Sequence, residues 1–179
     1  MASWVEKKAS HIDVIIFDVD GVLTRGDITY GPEGETKSFN VLDGHAFVMA
    51  KKAGLKICVV SARKSEPVKR RMTELPVDEF LDGQSNKATS VKGLLQKMGI
   101  RPTNACYVGD DLVDLPAMGV VGLSVAVANA VDDVKERAAH ITKARGGEGA
   151  AREVIEMVLR ARGVWSKMVQ EYVEQGREK

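Results

Sequence analysis

Two carboxylates one residue apart, Asp18 and Asp20, stand at the end of an apolar run, Ile12-Asp13-Val14-Ile15-Ile16-Phe17, and Gly21 follows them. In an extended chain, side chains two residues apart point to the same side, so both carboxyl groups face one place. Gly21 then lets the backbone turn sharply away. Such a pair can divide phosphoryl transfer into two easier steps. One carboxylate attacks phosphorus and carries the phosphoryl group, while the other, protonated, donates to the departing oxygen and later deprotonates water. By itself Asp-x-Asp-Gly also serves as a solvated turn or a calcium loop. The strand-like run before it and Val22-Leu23-Thr24 after it argue for a strand tip instead.

Three further segments end in groups of matching chemistry. Ala105-Cys106-Tyr107-Val108 runs into Gly109-Asp110-Asp111-Leu112-Val113-Asp114. Carboxylates converging there would repel one another unless a divalent cation neutralised them, and an all-oxygen set favours Mg²⁺ over softer metals. Asp110, nearest the strand end, is the better ligand, whereas Asp111 and Asp114 could cap the following helix. Lys56-Ile57-Cys58-Val59-Val60 ends in Ser61-Ala62-Arg63, a hydroxyl and a guanidinium suited to phosphate oxygens or a carboxylate. Ser61 is equally an ordinary residue at a helix start. Gly83-Gln84-Ser85-Asn86-Lys87 places an ammonium ahead of a helical segment, where a lone lysine would also be at home in solvent.

The elements that must position these groups alternate between strand-like and helix-like patterns, the mark of βαβ units. Strands are expected near 12–17, 56–61, 78–82, 105–109, 120–127 and 139–142. Helices are expected near 44–54, 65–75, 86–98, 111–118, 131–138 and 149–162, with another at 165–174. The fold class is therefore α/β, a doubly wound, mainly parallel sheet in a single domain over residues 1–179. Ligands bind such sheets outside the carboxyl ends of the strands, where all the segments above terminate. One stretch breaks the alternation. Two β-prone runs around Gly31-Pro32-Glu33-Gly34 make a projecting hairpin over about residues 27–39, expected to act as a lid or as a contact to another subunit.

With 26 basic against 25 acidic residues, the chain of 179 residues has no net field to recruit nucleic acid or an anionic membrane. Met1 to Lys8 lacks the apolar core of a signal peptide and no apolar run reaches spanning length, so a cytoplasmic address is expected. Cys58 and Cys106 lie inside apolar runs and read as core thiols. His11, His45 and His140 are scattered, which leaves zinc chemistry unsupported.

Taken in order, Asp18-Val19-Asp20-Gly21-Val22-Leu23-Thr24, Ser61, Lys87 and Gly109-Asp110-Asp111 resemble the signature set of the haloacid dehalogenase superfamily of phosphohydrolases. The resemblance implies Asp18 as nucleophile and Asp20 as general acid and base. It implies Mg²⁺ held by Asp18, the backbone carbonyl of Asp20 and Asp110, with Ser61 and Lys87 binding the phosphoryl group and balancing its charge. That division suits a reaction needing in-line positioning and neutralised oxygens.

Within the superfamily, the hairpin, Phe39-Asn40-Val41-Leu42-Asp43-Gly44, the Ser61-Ala62-Arg63 tip and Arg145-Gly146-Gly147-Glu148-Gly149-Ala150 look like the 3-deoxy-D-manno-octulosonate 8-phosphate phosphatase family, over residues 12–163. That family implies a homotetrameric, cap-less Mg²⁺ enzyme that hydrolyses the phosphomonoester of an eight-carbon sugar acid in lipopolysaccharide sugar synthesis. A missing cap agrees with the sequence, since neither insertion point, after residue 24 or after residue 63, leaves room for one. By the same resemblance, Asn40, Val41, Leu42, Asp43 and Gly44 line the substrate site beside Asp20 and Lys87. Arg63 and Arg71 would face the sugar acid, with a subunit boundary allowed for Arg71, although Arg71 also fits a solvated basic face. The hairpin and a tail at about 164–179 would help to close a neighbour's site. Arg63 favours this branch over the related nonulosonate 9-phosphate phosphatases, which tend to carry an acidic residue there. A non-catalytic phosphatase-like assembly module is the reading from a different class, and the intact acidic set argues against it.

Overall fold

The computed structural model describes residues 3–175. In chain order the strands are β1 Val14–Phe17, β2 Thr29–Gly31, β3 Gly34–Thr36, β4 Lys56–Val60, β5 Glu79–Leu81, β6 Ala105–Gly109, β7 Leu123–Ala126 and β8 His140–Ile141. The helices are α1 Trp4–Ala9, α2 Val41–Lys52, α3 Glu66–Glu74, α4 Lys87–Met98, α5 Leu115–Met118, α6 Asp132–Lys135, α7 Ala150–Ala161 and α8 Trp165–Gln175.

Every residue of β1 is buried, because β1 lies inside a six-stranded sheet of order β5-β4-β1-β6-β7-β8 in which all pairings are parallel. Strands covered on both faces read as nearly continuous apolar runs, which is why β1, β4 and β6 were legible. Ile15 pairs with Ile57 on one side and Cys106 on the other. The chain walks outward from β1 through β4 to β5, then returns to start β6 beside β1. That reversal is a topological switch point, the place where such sheets open a crevice. Right-handed crossovers put α2 and α3 on one face and α4 and α5 on the other. α7 packs on α2, and α1 and α8 pack on α7. Phe17 of β1 stacks on Phe47 of α2, ring centroids 5.4 Å apart. Burial of each such side chain contributes roughly 1.5–3 kcal/mol.

β2 and β3 form a separate two-stranded antiparallel sheet, Tyr30 opposite Glu35, closed by Pro32-Glu33. The expected hairpin is present, and its paired residues occupy 29–36. Among the described residues no helix is long and apolar enough to cross a membrane.

Several elements differ from expectation: α2 begins at 41 rather than 44, and α6 spans only 132–135 of the expected 131–138. α1 is additional: Ser3 Oγ accepts from the Glu6 N–H, and Glu6 returns the bond to the Ser3 N–H, a reciprocal cap that supports a helix only six residues long. The expected helix at 111–118 is a 3₁₀ turn, Leu112–Asp114, followed by the single turn of α5, because the Asp114 carboxylate reaches back to backbone N–H groups and tightens the start. β7 begins at 123, not 120, because Gly122 N–H is committed to the carbonyls of Pro102 and Ala105. Residues 176–179 of the expected tail lie outside the described residues.

Candidate active site

The four signature segments meet at the carboxyl edge of the sheet. A cleft of about 270 Å³ is lined there by Asp18, Asp20, Ser61, Arg63, Lys87 and Asp110. β1 delivers Asp18, whose N–H continues the ladder to the Val108 carbonyl at 3.0 Å. The chain then turns tightly: the N–H groups of Val22, Leu23 and Thr24 all donate to the Val19 carbonyl at 2.9–3.2 Å. The turn requires Gly21, which has φ +88° and a position where a Cβ would lie 2.0 Å from Asp110 Oδ2. β4 ends on buried Ser61, whose Oγ accepts from the Arg63 N–H at 3.2 Å. β6 ends at Gly109, bringing Asp110 beside Asp18.

Lys87 opens α4 and points inward, its side chain only 3% exposed, to within 2.7 Å of Asp18 Oδ1 and 2.6 Å of Asp114 Oδ1. Asp114 is completely buried and fully engaged: Oδ1 also accepts from the Tyr107 hydroxyl at 2.8 Å, and Oδ2 accepts from the N–H groups of Asp110 and Asp111. It is therefore the anchor of Lys87, and Asp111 caps the 3₁₀ turn by accepting from Leu112 N–H at 2.7 Å. One oxygen from each of Asp18, Asp110 and Asp114 falls within 4.8 Å of the others.

The electrostatics of this floor are strained. Burial first, then the Asp114 charge, pushes the Asp18 carboxyl up to about 7 despite Lys87. Burial together with Asp18, Asp114 and Asp111 pushes Asp110 up to about 8. Burial alone would pull the Lys87 ammonium down, but the carboxylates of Asp18 and Asp114 outweigh it and hold Lys87 above its ordinary value. Asp110 Oδ1 is buried without a hydrogen-bond partner. An unpaired buried carboxylate oxygen facing a second carboxylate, in an all-oxygen setting, is what a hard divalent cation would satisfy.

The rim is built differently. Lys37, just after β3, has a side chain with no solvent exposure and forms an ion pair with Asp20 Oδ1, with Glu35 3.6 Å away. Arg63 lies 3.5 Å from the other Asp20 oxygen and 3.1 Å from Glu35. The hairpin therefore folds back onto the second carboxylate. Lys37 and Glu35 were missed in the sequence, where alternation identifies a hairpin but not what its stem touches.

The remaining expected site residues separate into two groups. Asn40 caps α2 by accepting from Leu42 N–H at 2.8 Å, and with Lys37, Thr24 and Arg25 it lines an adjoining cleft of about 510 Å³. Val41 and Leu42 are 78% and 61% exposed at the start of α2 and line neither cleft. Asp43 is buried away from Asp18: its Oδ1 accepts from Arg152 N–H at 2.7 Å, tying α2 to the start of α7, and burial raises its carboxyl above the usual range. Gly44 packs against the Arg71 guanidinium, which lies over the Phe39 ring and pairs with Glu74 at 3.1 Å. Asp43, Gly44 and Arg71 thus share a recess distinct from the Asp18 cleft within one chain.

The chain resembles known proteins in sequence and in fold. Residues 79–154 match the model of the haloacid dehalogenase-like hydrolases. The chain is 44% identical over 160 residues to 3-deoxy-D-manno-octulosonate 8-phosphate phosphatase of Escherichia coli strain B, covering 89% of this chain and 85% of that one. Its structure resembles the Moraxella catarrhalis enzyme of that name, crystallised with magnesium ion, phosphate ion and KDO: TM-score 0.91, 37% identity, 94% of this chain and 97% of that one. The cobalt-bound Haemophilus influenzae phosphatase superposes with TM-score 0.84 at 40% identity, covering 87% of this chain and 92% of that one. The chain accordingly belongs to the 3-deoxy-D-manno-octulosonate 8-phosphate phosphatase family of haloacid dehalogenase-like hydrolases.

Proposed function

We propose that the protein hydrolyses the phosphomonoester of 3-deoxy-D-manno-octulosonate 8-phosphate in a Mg²⁺-dependent reaction through an aspartyl-phosphate. The observation that carries the reading is the floor of the cleft: Asp18 held by Lys87 on one oxygen, with Asp110 beside it and Asp20 on the rim. An Asp18 carboxylate oxygen attacks phosphorus, a new P–O bond forms, and the bond to the sugar oxygen breaks. Asp20 donates its proton to that oxygen. In the second step the Asp20 carboxylate takes a proton from water, the water oxygen bonds to phosphorus, and the bond to Asp18 breaks, releasing inorganic phosphate. Lys87 and Ser61 hold the phosphoryl oxygens while charge develops on them. Asp18, Asp110 and the Asp20 carbonyl would hold Mg²⁺. When bound, the cation offsets the carboxylate charge and polarises the phosphoryl group. Arg63 supplies a guanidinium for the sugar carboxylate.

Two further parts complete the reading. Ile28, Tyr30, Val41 and Leu42 are exposed apolar side chains on the hairpin and the start of α2, suited to contacts between copies in a homotetramer. A mass in solution other than four times 19.4 kDa would remove that part. The two buried, unpaired thiols fit a reducing compartment such as the cytoplasm.

The deciding experiment is Mg²⁺-dependent phosphate release from a panel of sugar phosphates. Preference for the eight-carbon acid over nine-carbon nonulosonate 9-phosphates supports the reading. Activity confined to the nine-carbon acids would keep the chemistry and replace the substrate.

A further inference from the structure

The turn after the carboxylate pair is held from a distance. Asn129, in the loop after β7, donates from Nδ2 to the Gly21 carbonyl at 3.0 Å, and its Oδ1 accepts from the Gly146 N–H. Gly147 extends the grip by donating its N–H to the Val22 carbonyl at 2.9 Å. The two backbones touch. A Cβ on Gly146 would fall 1.7 Å from the Gly21 oxygen, and one on Gly147, at φ +68°, would fall 2.6 Å from the Arg25 nitrogen. An ion pair between Arg25 and Glu148 at 3.1 Å closes the outer end. Gly21 is thereby wedged between Asp110 on one side and a side chain 108 positions downstream on the other.

We infer that Asn129, acting with Gly146 and Gly147, is a positioning residue for the divalent cation, because it fixes the Gly21–Val22 peptide and so limits how far the preceding Asp20–Gly21 peptide, which carries the Asp20 carbonyl, can turn. The inference rests on the proposed ligand set of Asp18, Asp110 and that carbonyl. A side-chain ligand can adjust its rotamer, whereas a carbonyl ligand moves only with its peptide plane. Glycine at position 21 makes that plane unusually free, since it has access to both halves of backbone space. Hydrogen bonds to the next two carbonyls remove the freedom from outside the turn. Outer partners that orient metal ligands commonly change affinity by about 10–100-fold.

The test is Mg²⁺ binding to the purified full chain, measured by titration calorimetry well below the melting temperature. Asn129→Ala is expected to weaken Mg²⁺ binding at least about tenfold. The Mg²⁺ concentration for half-maximal phosphate release should rise to match, with kcat at saturating Mg²⁺ preserved. The matched control is Thr142→Val. It removes two bonds from the same loops, the Ala128 N–H at 3.1 Å and the Ala144 carbonyl at 2.7 Å, without touching Gly21. Unchanged binding in Asn129→Ala, or an equal loss in Thr142→Val, overturns the inference. Should Asn129→Ala fail to fold, the wild type still decides. By reciprocity, Mg²⁺ must slow amide exchange at Gly146 and Gly147, and unaltered exchange refutes the coupling. Asp110→Asn separates the two layers of argument. Normal Mg²⁺ binding in that variant removes the ligand set and the clamp together, whereas a defective Asp110→Asn beside a normal Asn129→Ala removes the clamp alone.

Discussion

The floor and the rim of the cleft solve opposite electrostatic problems. On the floor, Asp18, Asp110 and Asp114 face the single ammonium of Lys87. On the rim, Asp20 and Glu35 face Lys37 and Arg63, so charges cancel. The floor hangs on the ends of β1 and β6 and the start of α4, which are fixed by the sheet. The rim hangs on the hairpin and the tip of β4. A charge deficit on rigid supports suits a permanent cation, whereas a neutral rim offers an anionic ligand only the difference between new pairings and old ones. In the proposed mechanism the floor supplies reactivity, and the rim supplies selectivity by exchange.

Asp18→Asn, which removes the attacking oxygen, should abolish phosphate release, with a fall in kcat of about 10⁴-fold or more. Residual activity above a hundredth of wild type would move the nucleophile elsewhere. Lys87→Met should come next, because it leaves Asp18 and Asp114 buried without their shared cation. A loss of about 3–5 kcal/mol in unfolding free energy is expected from denaturant titration. A wild-type midpoint would show that the floor does not depend on the ammonium.

On the rim, Lys37→Met should lower kcat by about 10–100-fold, since it releases Asp20 from one of its two cations, and Lys37→Arg should recover part of the loss. Equal kcat in Lys37→Met and wild type would detach the hairpin from the chemistry. Arg63→Ala should raise KM for the sugar acid phosphate about tenfold while leaving p-nitrophenyl phosphate, which has no carboxylate, nearly unchanged. A parallel rise for both substrates would mean that Arg63 reads the phosphate instead.

The smallest effect concerns pH. In the metal-free fold Asp18 and Asp110 keep their protons up to about 7 and about 8, against 3.8 for an ordinary carboxyl. Between those limits the folded state binds more protons than the unfolded one, so stability declines as pH rises. Tm without metal should fall by a few degrees between pH 5.5 and 8, and Mg²⁺ should restore more of it at pH 8, because cation and proton compete for the same oxygens. Identical Mg²⁺ stabilisation at both pH values would place the cation away from these carboxylates.

Much of the floor was legible in the sequence because each of its residues ends a buried strand or starts a helix, so local pattern located it. Asp114 was read only as a possible helix cap. The same Asp114 oxygen accepts from Lys87 and from the buried Tyr107 hydroxyl, a polar group hidden inside an apolar run. Lys37 was invisible for a related reason: nothing in Glu35-Thr36-Lys37 tells which way a hairpin folds. α1 had a signal, Ser3 followed three residues later by Glu6, but a helix of six residues shows no periodicity to support it. Asp43 and Arg71 came by resemblance rather than by pattern, and within one chain they meet each other's neighbours rather than Asp18.

The bond between Asn129 and the Gly21 carbonyl has a consequence for synthesis. The strand that carries Asp18 leaves the ribosome well before the residues that grip the turn beyond it, 129, 146 and 147. Its parallel partner β6 also arrives late. Contacts of such long sequence separation form slowly. A nascent chain thus carries Asp18 and Asp20 without the contacts that fix the turn beyond them until residues 129 to 147 have emerged.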